Sequence, residues 1–289
     1  MSRGGGDILV IKMVGRKIEN LGKWEQIGRI KPALKELWYR GDLELLDKRP
    51  KLAMVGSRRM SSYGALVIEK WMPELVANGV VIVSGFMYGV DQKAHSECLA
   101  NGGATIGVLG WGIDRPGTEM DQKLENQIEK NGLFLSEYPG SIEAALFMFP
   151  ARNRIVAGIG DAVLVIEAAE KSGSLITADW ATRTGKPLLA LPGNVTSRIS
   201  KGTNWLIREN KARMATEVGD VLSALGLSGK KEKQLMLSDP ILELLQTEPK
   251  MIDEIVKITR LSVGEVMGKL SEWELSGLVE CRGGRYYVL

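Results

Sequence analysis

From residue 51 onward, short apolar runs alternate with turns and with segments of helical period. The runs fall at 51–55, 80–83, 104–109, 133–135, 162–166 and 187–191, each too short for a helix and each closed by Gly, Ser, Glu or Pro. Strands separated by helices predict a mostly parallel α/β sheet covered by helices on both faces. Residues 201–225 predict closing helices. Upstream, 1–30 mixes Gly, Lys and scattered apolar residues without a sustained period and reads as a short N-terminal arm or an incomplete small element. Pro32 to Leu46 is apolar enough to pack on a neighbour and carries a turn signal at Gly41-Asp42. The larger domain is therefore expected over 31–227.

A polar stretch containing Gly229, Lys230, Lys231, Glu232 and Lys233 marks a linker at 228–237. Beyond it, 238–289 predicts helices at 240–246, 251–259 and 263–276, then a hairpin of 278–281 and 285–288 around Gly283-Gly284. That order is a winged helix-turn-helix. Its charge argues against duplex DNA, because six basic residues stand against nine acidic ones between Asp239 and Leu289, a net of minus three. The third helix carries Glu265, Glu272 and Glu274 against Lys269 alone, and phosphate attraction dominates nucleic-acid affinity. A protein-contact role fits this unit better than groove reading, with Arg282 and Arg285 on the wing as the one reservation.

Composition narrows the chemistry. The 289 residues are 44% hydrophobic with a formal charge of +3, so a polyanion has to be met by a local patch rather than by a basic coat. Cys98 and Cys281 lack metal-ligand spacing, and His95 is the single histidine, which leaves nothing for zinc and no Ser-His arrangement. No metal or other cofactor is expected. No apolar run reaches the length of a membrane span, and MSRGGGD lacks the apolar core of a signal peptide. The expectation is a cytoplasmic protein with no membrane contact.

The strand ends carry the candidate site. Gly56-Ser57-Arg58-Arg59 follows the first run, Ser84-Gly85 the second, Gly110-Trp111-Gly112 the third, Ser136-Glu137, Glu167-Ala168 and Pro192-Gly193 the rest. Carboxyl ends of parallel strands share one edge, where ligands bind. At Lys51 to Ala65 a strand, a glycine turn and a helix start with Ser61 and Ser62 aim backbone N–H groups and a helix dipole at one spot, an anion site. In FMFPARNR, Phe149 beside Arg152, Asn153 and Arg154 can stack a base and hold a phosphate. A helix start with a buried Phe and two solvated arginines accounts for the same residues. In KSGSLIT, Lys171, Ser172, Gly173 and Ser174 open another helix, where capping and phosphate contact explain them equally. Glu137 and Glu167 are the carboxylates that a nucleotide-processing enzyme would use, but no matched acid and base pair accompanies them.

MVGSRRMSSYG (54–64), IVSGFMYGVDQKAH (82–95), GGATIGVLGWGIDRP (102–116), LSEYPG (135–140), FPARNRIVAG (149–158), VIEAAEKSGSLITA (165–178) and LALPGNVTSRISKGTNWLI (189–207) together resemble the DNA-processing protein DprA (Smf) family. The tail LSEWELSGLVECRGGRYYVL is similar to the winged-helix module of many members. The resemblance implies a Rossmann-like domain that binds single-stranded DNA, forms homodimers and loads RecA recombinase onto incoming DNA during natural transformation, without catalysis. Carried over by motif, it implies phosphate contacts at Gly56, Ser57, Arg58, Ser84, Gly85, Arg152, Asn153, Gly173 and Ser174, and base packing at Phe149. Where the family often reads SGLARGID this chain has Met87 and Tyr88, so Tyr88 becomes a further stacking candidate. Trp111 stands where a smaller residue is usual, and the N-terminal helical module of many members is missing or much reduced. Competing readings are a nucleotide-processing Rossmann-like enzyme and a winged-helix transcription regulator.

Overall fold

A computed structural model of the chain describes residues 14–48, 50–117, 121–227, 239–275 and 278–288, which fall into two compact units divided after Gly226. In the larger unit the strands are β1 (Arg16–Lys17), β2 (Trp38–Gly41), β3 (Lys51–Val55), β4 (Val81–Ser84), β5 (Thr105–Val108), β6 (Leu133–Ser136), β7 (Ala162–Val165), β8 (Leu188–Ala190) and β9 (Arg213–Met214). They form one sheet in the order β1-β2-β6-β5-β4-β3-β7-β8-β9. Pairing is parallel from β6 through β9, while β2 runs antiparallel to β6 and β1 antiparallel to β2. All six strands predicted from the apolar runs are present.

Every residue of β3, β4, β6 and β7 is buried, which is why these strands read as continuous apolar runs rather than as alternations. The helices that cover them are α1 (Glu25–Gly28), α2 (Ser62–Ala77), α3 (Val90–Ala100), α4 (Gln122–Asn131), α5 (Met148–Ile159), α6 (Ser174–Arg183), α7 (Lys201–Arg208) and α8 (Val218–Ala224). Ser61 caps α2, its hydroxyl accepting from the Gly64 N–H at 3.4 Å. The chain runs from β3 outward to β6 and then returns to lay β7 on the other side of β3. The carboxyl ends of β3, β4 and β7 thus enclose the crevice of a doubly wound sheet.

The expected arm ends early. Within residues 14–30, Ile18, Trp24, Ile27 and Ile30 are buried in the main core, and the Trp24 indole N–H donates to Asp47 at 2.8 Å. A two-residue strand and a four-residue helix are too short to show a period, so this part reads in the sequence as no more than an incomplete element. Residues 1–13 of the arm lie outside the described residues. Asp42 ends β2 by accepting from the Glu44 N–H at 2.9 Å, in keeping with the turn signal.

Strand β2, next to the edge of the sheet, holds an unexpected charge. Arg40 is fully buried, 2.8 Å from Glu125 and in contact with Glu129 on α4, with its guanidinium 5.4 Å from the Phe134 ring centroid. This cluster fastens α4 to the antiparallel edge.

The smaller unit contains α9 (Pro240–Thr247), α10 (Ile252–Thr259) and α11 (Val263–Leu275), followed by the hairpin β10 (Val279–Arg282) and β11 (Arg285–Val288). Ile241, Leu242, Leu245, Ile255, Val266, Leu270, Trp273 and Val279 form its core. Gly283 and Gly284 take φ of +58° and +80° at the hairpin tip, conformations that favour glycine. This is the predicted winged helix. The predicted linker, 228–237, lies outside the described residues. Among the described residues no helix is long and apolar enough to cross a membrane.

Candidate nucleic-acid interface

The crevice opens into a cleft of about 650 Å³. Its walls come mainly from four junctions that are distant in sequence, the turn after β3, the turn after β4, the start of α5, and the loop from β7 into α6, with Arg198 and Ile199 beyond β8.

At the first junction Gly56 is required by close packing, since a Cβ there would meet the Val90 side chain and the Glu167 carbonyl. The Ser57 hydroxyl accepts from the Arg59 N–H at 3.0 Å and so shapes the turn. Arg58 and Arg59 are exposed at the rim. The Arg58 guanidinium lies 5.2 Å from the centroid of the Phe149 ring, within cation–π range. Trp111 meets Phe149 edge-on at 6.3 Å.

At the second junction Gly85 leaves room for two charged groups. A Cβ on it would collide with Asp91 Oδ2 and with the Arg152 guanidinium. Arg152 is 4% exposed and donates to the Val108 carbonyl. Burial pulls its pKa down and the Asp91 carboxyl works against that pull. Asp91 is displaced upward, first by burial, with Arg152 as the largest opposing influence. Below them His95 Nε2 lies 2.5 Å from the Gly85 carbonyl. A carbonyl only accepts, so Nε2 carries the proton, and burial lowers this pKa to about 4.

The third and fourth junctions are tied together by Asn153, whose amide donates to the Gly173 carbonyl at 3.0 Å. Ser172 and Ser174 share a hydroxyl contact of 2.7 Å. The cleft therefore brings together Gly56, Ser57, Arg58, Arg59, Gly85, Phe149, Arg152, Asn153, Ser172, Gly173 and Ser174.

Other expected residues lie elsewhere. Ser84 is fully buried and its hydroxyl donates to the Met54 carbonyl at 2.6 Å, because it still belongs to β4 rather than to the turn. Arg154 points away and pairs with Glu137 at 2.6 Å, since successive helix positions face different sides. Tyr88 is exposed outside the cleft wall. Lys171 lines a separate groove of about 860 Å³ with Lys201, Trp205 and Lys211. Trp111 is 7% exposed and packs among Phe86, Phe149 and Arg115, so it supports the platform rather than offering a free face.

Met87, Asp91, Leu146 and Arg198 also line the cleft and were not anticipated. Only Asp91 left a trace in the sequence, as the acid closing the turn MYGVD. The carboxylates considered for catalysis are committed to structure. Glu167 is 2% exposed and accepts from the Ser61 backbone N–H at 2.8 Å and from the Ser61 hydroxyl, while Glu137 holds Arg154.

Comparison with known proteins gives the relationships of the chain. Residues 24–226 match the family described as DNA recombination-mediator protein A, and residues 236–285 match the DprA winged helix domain. The chain is 44% identical over 187 residues to the DNA processing protein DprA of Streptococcus pneumoniae, covering 65% of each chain. It is 33% identical to protein Smf of Synechocystis, covering 87% of this chain and 74% of that one. Among solved structures, that of the pneumococcal protein superposes with a TM-score of 0.68 at 40% identity, over 72% of this chain and 73% of that one. A Helicobacter pylori structure described by its single-stranded DNA binding mode superposes with a TM-score of 0.66 at 32% identity, over 73% of this chain and 95% of that one. Both units and the ordered motifs along the larger one thus lead to the same place: this chain belongs to the DNA recombination-mediator protein A family, DprA or Smf.

Proposed function

We propose that the cleft grips a short stretch of single-stranded DNA, and that the chain acts as a recombination mediator which protects incoming DNA and loads RecA recombinase during natural transformation. The observation that carries this reading is the pairing of Arg58 with Phe149 at the mouth of an amide-rich cleft. An aromatic face stacks any base, and an exposed arginine beside it meets the adjoining phosphate. Bases in a duplex are already stacked and paired, so the same cleft discriminates against duplex. The Helicobacter pylori relative, described by its binding of single-stranded DNA, supports the assignment.

The protein works as a homodimer in this reading, so that two clefts share one strand and gain effective concentration. The test is co-sedimentation on single-stranded oligomers with and without RecA, with analytical ultracentrifugation to establish the oligomeric state. A mediator increases the RecA retained on strands already coated by another single-strand binder. Binding of the oligomer with no effect on RecA would reduce the function to strand protection alone.

A further inference from the structure

The cleft contains one acidic group, and phosphate binding does not explain it. Asp91 sits in the first turn of α3, is 8% exposed, and lines the cavity together with Phe149, Met87, Arg58 and Ser57. A carboxylate beside a bound phosphate repels it, so an anion site gains nothing from an acid at its floor. Balancing Arg152 is one use, yet Asp91 and Arg152 face each other only across the place that a side chain on Gly85 would occupy. Arg152 spends a donor on the Val108 carbonyl instead. The Ser84 side chain and the Met87 backbone N–H hold Asp91 from one side.

What remains is an acceptor next to an aromatic platform. A base stacked on Phe149 presents its edge toward the cleft floor, and a carboxylate reads the edge that offers adjacent N–H donors. Guanine offers two, N1–H and the N2 amine. Thymine offers N3–H flanked by two carbonyl oxygens that repel a carboxylate, and adenine and cytosine place a ring acceptor, N1 or N3, at the corresponding position. The geometry points to Asp91 as the residue that makes this cleft select guanine at the base seated on Phe149. This rests on the single-strand reading of the cleft and adds a sequence preference to it. Burial favours the neutral carboxyl, and the two donors of guanine, with Arg152 and Arg58 nearby, favour the charged one, so the seated base and the ionised acid stabilise each other.

Oligomers of thymidine carrying one central dG, inosine, dA or dC test it by fluorescence anisotropy with the full chain. A bidentate contact discriminates by about 1–3 kcal/mol, so the dG oligomer binds about tenfold tighter than the all-thymine one. Inosine, which lacks the N2 amine, falls between them. In Asp91→Asn the ratio of the dG to the all-thymine dissociation constants rises from about one tenth to about one, whatever the absolute affinity becomes. A merely structural Asp91 would weaken all oligomers alike and leave the ratio intact, which overturns the proposal. So does a wild-type protein that binds all the oligomers equally. The inosine result needs no variant and stands even if Asp91→Asn folds poorly. If no oligomer binds, or if Arg58→Ala changes neither affinity nor salt slope, the single-strand reading itself fails, a result distinct from the loss of base preference.

Discussion

The Arg58 guanidinium covers the ring of Phe149 at 5.2 Å, so the cleft carries its cation on the surface where a base would stack. In the proposed complex base and guanidinium compete for one aromatic face, and strand binding is expected to move Arg58 aside toward the phosphate. Phe149→Ala removes the platform and lowers single-strand affinity by about 1–3 kcal/mol. Arg58→Ala flattens the dependence of log affinity on log salt by about 0.7, the share of one phosphate contact on single strands. Anisotropy titrations at several salt concentrations separate the two, because loss of stacking lowers the line and loss of a charge tilts it.

Gly85 is the position at which the cleft tolerates least. Its missing Cβ leaves the space that Asp91 and Arg152 fill, and its carbonyl faces His95 Nε2 at 2.5 Å. Gly85→Ala forces both charged groups back into a packed interior, at a cost of about 1–3 kcal/mol. Thermal melting reads the stability loss, and the same sample shows reduced oligomer binding.

The position of the crevice was legible because a parallel strand buried on both faces is written as an unbroken apolar run, and the residue that ends the run marks the edge. Where the side chains point was not. Ser84 and Gly85 are adjacent, yet the hydroxyl is consumed by the Met54 carbonyl inside the sheet while Gly85 lines the cleft. Arg152 and Arg154 differ by two helix positions and face different neighbours, Val108 and Glu137. No periodicity announces Asp91, because its burial depends on α5 approaching from more than fifty residues away in the chain. Residues 14–30 read only as an arm or an incomplete element because they are packed by tertiary contacts without regular elements long enough to detect.

His95 is the single histidine in the chain, which makes its titration readable. Its folded pKa is held near 4 by burial, while the unfolded chain has an ordinary value of about 6.5. Below 6.5 the unfolded state takes up a proton that the folded state refuses, so stability present at neutral pH is lost as pH falls toward 4. Between pH 7 and 5 this amounts to about 2 kcal/mol. Asp91, displaced upward, acts with the opposite sign. Urea unfolding of the wild type and of His95→Gln at both pH values isolates the histidine, and the variant is expected to lose the steep part of the acid sensitivity.

Arg40 pairs with two carboxylates that are themselves nearly inaccessible, Glu125 and Glu129. Arg40→Met leaves both buried without their cation, and breaking such a group costs about 3–5 kcal/mol. The double change Glu125→Gln with Glu129→Gln in the Arg40→Met background recovers part of that loss, because the uncompensated charge is gone. Chemical denaturation of the three proteins measures it.

The winged helix resembles a groove reader in shape and lacks its charge. The wing arginines are already engaged: Arg282 pairs with Glu280 at 2.6 Å, and Arg285 lies 3.3 Å from Glu254 and donates to the Pro249 carbonyl at 2.9 Å. On α11, Glu265 accepts from Ser262, and Lys269 is drawn to Asp239 at 2.6 Å. Phosphate would have to displace these partners and approach a net-negative unit, so the free energy of counterion release is offset locally. Reversing the wing charge in the full chain, Arg282→Glu, is therefore expected to change single-strand affinity by no more than about twofold, the range of an ordinary surface substitution. Duplex of the same sequence should compete poorly with the single strand in both proteins. A large loss of duplex binding on reversal would instead make the wing a DNA contact and return the regulator reading to this unit.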